Sequence, residues 1–583
     1  MKKLLGSATL LLFALTCALQ AAKPQTDNSK AAPAVSATAA GRATVGAGKE
    51  IVLDNLAQYT LYEGPRRVIP DHPDAADMEN ERREGMKPGP VTYTGEPSPL
   101  PSTFQPPTQS PAESFAGGTE SSCGGWIPSD HALASNSTYE VQILNACISV
   151  YGSLGKLQPG YPKNLNSFFG ATSGDAVGDP RVLYDWHAAR FIAVAEDFTA
   201  NNIIVAASQT SNPTGGWWIY TLSATSGGVS GCADFPMVGQ TLEEDGDTNG
   251  AIYVSFDRFA CGGGFTDDVI WILPKSPIYS GAGFGWAIFD NLTVGGKTMD
   301  HVQPANVVTQ GNQPRAEILV NTYDFNNNCV SGSPCNGLVL WALYNGVTGS
   351  SSNPAHLAGA TISTANNYIY PVTAAQPGAA SGSSCAINTG NAGITSTVTY
   401  SAGDLYLAIA TGALNGGASD GWIYWQVHPY LVNNTNSPAQ AVLASPPAVI
   451  RNEVCWGCNG FGGDGSASEY YPTVQPDSEG NVAIVFNYSS SGVYPSTAYI
   501  MSRSTQPSGG LPDGGLVLVS GQAEYCQLDN SNRNRWGDYT ATSPFGVSNS
   551  SAPTFWFAGQ SSDSSGNWAT TVAKSTFYYP NEP

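Results

Sequence analysis

The sequence predicts an all-β protein, and three observations support this. The 583 residues include 65 Gly and 40 Pro, whereas only 12% are charged. This composition is unlike that of coiled coils and helical bundles, which are rich in Glu, Lys, Ala and Leu. From about residue 121 onward, short apolar stretches alternate with Gly, Asn, Asp and Ser turns, and no long stretch has helical periodicity. Aromatic residues make up 10% of the chain, which argues against global disorder.

The first 22 residues have the pattern of a secretory signal peptide. Lys2 and Lys3 supply positive charge, an apolar run extends to Leu15, and small residues around Ala21 offer a cleavage site. The apolar run is too short to span a membrane, and Cys17 leaves a lipid-anchored form as an alternative. The sequence therefore predicts a protein that is secreted or lies at the outer cell surface, without a transmembrane span.

Residues 23–120 are rich in Ala, Pro, Ser and Thr. Within them, the Pro-rich stretch Gly95–Pro111 favours an extended polyproline conformation. The sequence predicts a linker here, with a pro-segment as the alternative, and a folded body at residues 121–583.

The folded body carries nearly all of the negative charge. Residues 121–583 hold 32 acidic and 13 basic side chains, and the net charge of the whole chain is −21. An acidic surface repels phosphate backbones, so nucleic acid is excluded as a partner. An extracellular glycan or a surface protein is the expected partner.

A loose motif recurs in the body and predicts its architecture. A small or acidic residue and Pro precede an apolar strand, and a turn then leads into an alternating strand, as at Asp179–Asp185, Asp234–Gly239 and Tyr471–Gln475. Copies are 55 to 95 residues apart, which suits blades of four strands with variable loops. The prediction is a β-propeller of six or seven four-stranded blades, with tandem β-sandwiches as the alternative.

Three of these strings resemble a known group of proteins. Asp179–Phe191, Asp234–Asp257 and Arg535–Phe557 resemble segments of secreted bacterial β-propellers of the broad sialidase-like type. Many of those proteins have no known activity, so the resemblance implies the fold and little about function. Sialidases bind a substrate carboxylate through arginines, which pair with it bidentately. Arg181 and Arg535 are therefore candidate ligand-binding residues.

Ten cysteines follow the signal peptide, and an oxidising compartment favours disulfides between them. The spacing suggests three pairs and a structural bond within a CxxC motif. These are Cys123 with Cys147, Cys232 with Cys261, Cys329 with Cys335, and Cys455 with Cys458.

One segment has the beginning of a calcium-binding loop. Asp245, Asp247 and Asn249 place oxygen ligands at alternate positions, and Gly250 follows. The acid usually found at position twelve is replaced by Phe256. An acidic turn is the alternative, because Asp, Asn and Gly are also turn residues.

Aromatic and histidine residues suggest further contacts. Trp217 and Trp456 are candidates for stacking on sugar rings, and packing between blades is the alternative. His187 and His301 occupy comparable positions in two repeats and are candidates for a common channel.

Two functions agree with these features. The first is an extracellular binding protein that recognises glycans and is stabilised by calcium. The second is a carbohydrate-active hydrolase or lyase, with acids and arginines at the mouth of the propeller. An enzyme requires two titratable groups that converge in one pocket, whereas a binding protein requires only an aromatic or polar patch. A redox role for Cys455 and Cys458 is a third alternative.

Overall fold

The structure is a computed structural model. It describes residues 35–69, 113–152, 154–242, 248–309, 316–323, 329–330, 333–347, 355–412, 420–433, 441–443, 447–456, 467–504, 515–545 and 554–576. These residues are predominantly β-strand, which confirms the predicted all-β class. None of their helices is both long and apolar enough to cross a membrane.

Five strands come first in the chain. They are β1 (Val35–Val45), β2 (Lys49–Val52), β3 (Arg67–Val68), β4 (Glu113–Thr119) and β5 (Trp126–Ile127).

From residue 132, the described residues form seven units of antiparallel strands, numbered here in chain order. Unit one contains β6 (Ala132–Ser135), β7 (Tyr139–Leu144), β8 (Cys147–Gly152) and β9 (Lys163–Asn164), and is followed by the helix α1 (Leu165–Phe169). Unit two contains β10 (Val177–Asp185), β11 (Arg190–Asp197), β12 (Asn202–Ser208) and β13 (Gly216–Ser223). Unit three contains β14 (Cys232–Gln240), β15 (Ala251–Phe259), β16 (Phe265–Pro274), the helix α2 (Lys275–Ser280), β17 (Phe284–Val294) and the short β18 (Lys297–Thr298).

The other four units follow the same plan. Unit four contains β19 (Gln303–Val307), β20 (Glu317–Tyr323), β21 (Cys335–Tyr344) and β22 (His356–Tyr368). Unit five contains β23 (Val398–Ser401), β24 (Asp404–Thr411), β25 (Gly421–His428), the hairpin β26 (Leu431–Asn433) and β27 (Ala441–Leu443), and β28 (Ala448–Trp456). Unit six contains β29 (Ser468–Pro476), β30 (Val482–Ser490), β31 (Val493–Ser502) and β32 (Leu516–Val519). Unit seven contains β33 (Ala541–Phe545), β34 (Thr554–Ser562) and β35 (Trp568–Thr576).

The first strands of the units contact one another in a cycle. Each contacts the first strand of the next unit, and β33 of unit seven contacts β6 of unit one. Single stretches of parallel pairing link β14 to β19 and β19 to β23, so units three to five share one sheet. A cluster of buried apolar side chains lies at each junction between neighbouring units. Burial of these faces is the main source of stability.

The recurrent Pro motif forms a β-bulge in the first strand of units two, three and six. The residue before Pro has a left-handed backbone, with φ of 49° at Asp179, 57° at Phe235 and 49° at Tyr471. The pairing register shifts at the same places. Left-handed backbone is uncommon for residues other than Gly and costs free energy. The motif therefore marks a strained turn at one end of each first strand.

The predicted linker at 23–120 requires correction for its described parts. β1 pairs with β17, β2 pairs with β13, and β4 pairs with β35 as the fourth strand of unit seven. These segments therefore belong to the sheets, because they provide partners for strands that would otherwise be edges. Residues 70–112 and the predicted signal peptide lie outside the described residues.

Several turns are fixed by an Asp carboxylate. In the turn at 477–481, Oδ1 of Asp477 accepts the backbone N–H groups of Glu479 and Asn481, and Gly480 has φ of 78°. Asp529 and Asp563 form turns with the same pattern. The spacing of Asp, then Gly or Asn three residues later, therefore reflects one hydrogen-bonding scheme.

Four disulfides are present in the described residues. Three join cysteines that the spacing had paired, namely Cys123–Cys147, Cys232–Cys261 and Cys329–Cys335. The fourth, Cys385–Cys526, links segments 141 residues apart, which local spacing could not suggest. Cys458 lies outside the described residues, so the pairing predicted for Cys455 stays a prediction.

Candidate functional site

Residues from several units meet where the first strands begin. Besides the three bulge residues, Asp130 before β6 and His301 before β19 also have left-handed backbone, with φ of 37° and 51°. The segment 538–540, just before β33, contacts four of these five positions directly. We refer to this region as the convergence site.

Arg181 lies at the centre of the convergence site. Its guanidinium carbon is 3.3 Å from the centroid of the Tyr539 ring and 5.7 Å from that of Phe235. Its Nε donates to the carbonyl oxygen of Pro236 at 3.0 Å. The guanidinium is thus held by a carbonyl and two aromatic rings, and it is nearly inaccessible to solvent (5% exposed).

Two buried acids are linked by hydrogen bonds to the segment that carries Tyr539, the ring that stacks on this arginine. Oδ1 of Asp130 accepts the backbone N–H of Asp538 at 2.7 Å, and Oδ2 accepts from Asn145 at 2.6 Å. The same Asn145 accepts the backbone N–H of Asp179 at 2.9 Å, and Asp179 accepts from the Tyr539 hydroxyl at 3.3 Å. One hydrogen-bonded network therefore links acids from units one, two and seven.

The acids of this network differ in their environments. Burial, together with the charges of Asp538 and Asp179, raises the pKa of Asp130 well above its ordinary range. Asp538 is more exposed and forms an ion pair with Arg535 at 2.5 Å. The environment of Asp130 therefore favours its protonated form, whereas the Asp538 carboxylate has a guanidinium partner. Burial also raises the pKa of Tyr539, which keeps its hydroxyl protonated.

The side chain of His301 contributes an imidazole group to the convergence site. Its ring packs edge-on against Phe235 with centroids 4.4 Å apart. Nδ1 lies 3.4 Å from Oδ2 of Asp257 and 3.6 Å from Oδ2 of Asp300. The side chain is 13% exposed, and that of Asp300 is 25% exposed, so this side of the site is nearest to solvent.

The connecting segment between β22 and β23 (residues 369–397) lies against the site. Its Thr395 carbonyl faces Arg181 at 3.5 Å, and its Asn391 side chain lies 3.3 Å from Nε2 of His301. The disulfide Cys385–Cys526 attaches this segment to the chain that precedes unit seven. Contact between the segment and the site is therefore reinforced covalently.

Both predicted arginines are at the site, whereas Trp217 is elsewhere. Arg181 and Arg535 reach the same network, each close to an Asp or Tyr of unit seven. Trp217 is fully buried, and its Nε1 donates to Pro213. It packs edge-on against Phe168 at the junction of units one and two. The stacking role predicted for it is wrong, because neither ring face is accessible. The Trp456 side chain lies outside the described part.

The histidine and calcium predictions have different outcomes. His187 lies on the exposed turn between β10 and β11, so it does not share a channel with His301. Asp245 and Asp247 lie outside the described residues. Asn249 is described, and its Nδ2 donates to Ser276 at 2.8 Å. Among the described residues, no group of three His, Cys, Asp or Glu side chains is placed to hold a metal ion.

The sequence analysis did not identify Asp130, Asp257 and Tyr539 as site residues. Tyr539 and Asp257 are in strings that repeat between units, but repetition alone does not separate core from site. These residues meet only through contacts between distant parts of the chain, such as Asp538 with Asp130 and Tyr539 with Asp179, which no local pattern indicates.

Comparisons with known proteins give weak likenesses only. No protein-family model matches the chain, and no curated protein matches it. An exo-β-1,3-galactanase from Phanerochaete chrysosporium aligns with 10% identity over 80% of this chain and all of its own, with a TM-score of 0.27. A PL25 ulvan lyase aligns with 11% identity over 73% of this chain and 88% of its own, with a TM-score of 0.31. A GH43 endo-arabinanase from Bacillus licheniformis aligns with 12% identity over 66% of this chain and 97% of its own, with a TM-score of 0.25. At these values the likeness carries no inference about the activity of this chain.

Proposed function

We propose that the seven units close into a seven-bladed β-propeller. The support is the cycle of contacts between first strands, together with an apolar cluster at each junction. In such a ring, the strained residues of the convergence site come together at one end of the central axis.

We propose that the protein is a carbohydrate-active enzyme, either a hydrolase or a lyase, and that the convergence site is its active site. The observation that carries the proposal is the meeting of Asp130 of unit one, Asp179 and Arg181 of unit two, and His301 at the start of unit four. Hydrolysis of a glycosidic bond uses two carboxyl groups in different protonation states. Asp130, whose protonated form burial favours, would serve as a proton donor, and an ionised neighbour would serve as its counterpart.

Elimination is the alternative chemistry for the same groups. It requires a base that removes a proton next to a carboxylate and a cation that stabilises the resulting charge. His301 and Arg181 would serve these two roles.

The binding-protein hypothesis has less support. It relied on exposed aromatic faces, but Trp217, Trp422 and Trp425 are completely buried. The titratable groups instead converge, which is the geometry expected for an enzyme.

We further propose that the protein acts outside the cell. The four disulfides agree with an oxidising compartment, and the N-terminal residues have the pattern of a signal peptide. Calcium at Asp245, Asp247 and Asn249 remains a proposal based on sequence.

The proposal is tested by incubating residues 23–583 with a panel of neutral and acidic polysaccharides, with calcium or with chelator. New reducing ends indicate hydrolysis, and unsaturated ends indicate elimination. We expect Asp179→Asn to lower the rate at least about 100-fold, and Glu50→Gln, at the exposed edge of unit two, to leave it unchanged. Depletion of the protein from solution without new ends would instead favour glycan binding, and absence of both would reject glycans of the panel.

A further inference from the structure

Three carboxyl groups lie in one row across unit three, beside the convergence site. Asp234 on β14 is the cross-strand partner of Asp257 on β15, and Asp257 is the partner of Asp268 on β16. All three residues are buried. Like charges directly opposite one another on a sheet are destabilising, so this row requires protons, hydrogen bonds or a function to offset its cost.

Backbone N–H groups hold two of these acids at the turn before β19. The N–H of His301 donates to Oδ1 of Asp257 at 3.0 Å, and the N–H of Val302 donates to Oδ2 of Asp268 at 2.9 Å. Oδ1 of Asp268 is buried and has no hydrogen-bond partner among the described residues. The same turn that carries His301 therefore fixes the position of Asp257 and of the acid behind it.

Hydrogen bonds on the other side of the ring determine which imidazole nitrogen carries the proton. Oδ1 of Asn391 accepts the backbone N–H of Gly393 at 2.7 Å. The amide nitrogen of Asn391 therefore faces Nε2 of His301, at 3.3 Å. An amide nitrogen can only donate, so Nε2 is the acceptor and the proton of the neutral ring lies on Nδ1. Nδ1 in turn faces Oδ2 of Asp257 at 3.4 Å.

We propose that His301 is the proton-transfer residue of the convergence site and that Asp257, supported by Asp268, is its positioning residue. This inference rests on the proposed enzymatic function. Asp257 holds the Nδ1–H form of the ring, which leaves the Nε2 lone pair available to take a proton from substrate and return it later. In the free protein the amide of Asn391 donates a hydrogen bond to Nε2, and a bound substrate would displace this amide.

The charged groups around His301 agree with these roles. Asp257 and Asp300 face Nδ1, and both favour the protonated ring. Burial and the charge of Asp257 raise the pKa of Asp268 well above its ordinary range. The protonated form of Asp268 is therefore favoured, which lowers the repulsion between Asp268 and Asp257. Arg181 lies on the far side of the Phe235 ring.

The first test requires no substrate. In protein labelled with ¹⁵N-histidine, the ring signals of His301 are assigned by their loss in His301→Gln. We expect the wild-type ring to be protonated at Nδ1 and unprotonated at Nε2 near neutral pH. The opposite tautomer would overturn the proposal.

The second test measures the pKa of His301 in variants. We expect Asp257→Asn to lower this pKa by at least about one unit, because it removes the nearest negative charge. Asp404→Asn is the matched control, since Asp404 contacts His428 at 2.7 Å in unit five. The control should change the titration of His428 and leave His301 unaffected. An unchanged His301 titration in folded Asp257→Asn would overturn the positioning role.

A third test separates this inference from the proposed function. On a polysaccharide that the wild type cleaves, His301→Gln should reduce kcat at least about 100-fold. Asp257→Asn should move one limb of the pH–rate profile and reduce kcat with little change in KM. A pH profile unchanged in Asp257→Asn would overturn the inference. If no polysaccharide is cleaved, the proposed function fails, whereas the tautomer and the titration still decide how His301 is held.

Discussion

Buried carboxyl groups are the most informative single residues of this protein. Asp130 and Asp268 are fully buried with raised pKa values, and both lie at or beside the convergence site. Glu140 on β7 is a third case, away from that site. It is fully buried, both of its carboxyl oxygens lack a hydrogen-bond partner in the described residues, and burial raises its pKa to about 8. Each group is neutral over a pH range in which the unfolded chain would be ionised.

This difference predicts a pH-dependent stability that Glu140→Gln should remove. The pKa of Glu140 in the folded state is above its ordinary value of 4.5, so its contribution to stability is complete below that value and is lost as pH rises toward about 8. We expect the free energy of unfolding of the wild type to fall between pH 5 and 8 by roughly 3 kcal/mol more than that of Glu140→Gln. Urea denaturation at the two pH values measures the difference. Parallel pH dependence of the two proteins would contradict the prediction, and Glu50→Gln is the surface control.

At the scale of secondary-structure elements, the contacts of helix α2 show how neighbouring units are joined. Lys275, the first residue of α2 in unit three, is fully buried. Its Nζ lies 2.7 Å from Oδ2 of Asp185 in unit two, and Gln240 and the Thr241 carbonyl also accept from it. Burial alone would raise the pKa of Asp185, but Lys275 and the hydrogen bonds around it lower that pKa. A helix of six residues therefore joins two units through one ion pair.

Breaking this pair should destabilise the protein strongly. Lys275→Met leaves a buried carboxylate without its cation, and we expect a loss of about 3 to 5 kcal/mol in the free energy of unfolding. The double variant Lys275→Met with Asp185→Asn should recover a large part of the loss, because it removes the unpaired charge. Thermal and urea denaturation of both, with the exposed Lys297→Met as control, provide the comparison. Equal losses in the single and double variants would show that the pairing is not the cause.

Sequence patterns predicted the secondary-structure elements better than the tertiary contacts between them. Alternation in β15 and the turn at 477–481 are local, so strands and hairpins could be predicted from short strings. The pairing of Cys385 with Cys526 and the contact of Arg181 with Tyr539 join positions far apart in the chain, which no local pattern encodes. Trp217 was misassigned because a large aromatic residue in a strand has the same pattern whether it faces a neighbouring unit or a ligand.

At the scale of the whole molecule, seven units and three early strands form one arrangement. β1 and β2 extend units three and two, and β4 supplies the fourth strand of unit seven. The pairing of these early strands was not predicted, because residues 23–120 as a whole are rich in Ala, Pro, Ser and Thr, a composition typical of a linker.

The role of β4 is tested by two truncated chains. One begins at residue 113 and retains β4, and the other begins at residue 121 and lacks it. Both lack β1 and β2, so they differ mainly in the partner of β35. We expect the shorter chain to melt at least about 5 °C lower and to aggregate through its exposed edge. Thermal unfolding and size-exclusion chromatography measure both effects, and identical behaviour would show that β4 is dispensable.

The position of β4 in the chain also determines when folding of the protein can be completed. Residues 113–119 are synthesised early, and their partners in β35 are among the last described residues to appear. Contacts with such long separation in sequence form slowly, because the intervening chain must first be ordered. The four-stranded sheet of unit seven therefore cannot form until β35 has been synthesised. If the protein is exported as proposed above, this order of pairing would keep the last unit incomplete until translocation is nearly finished.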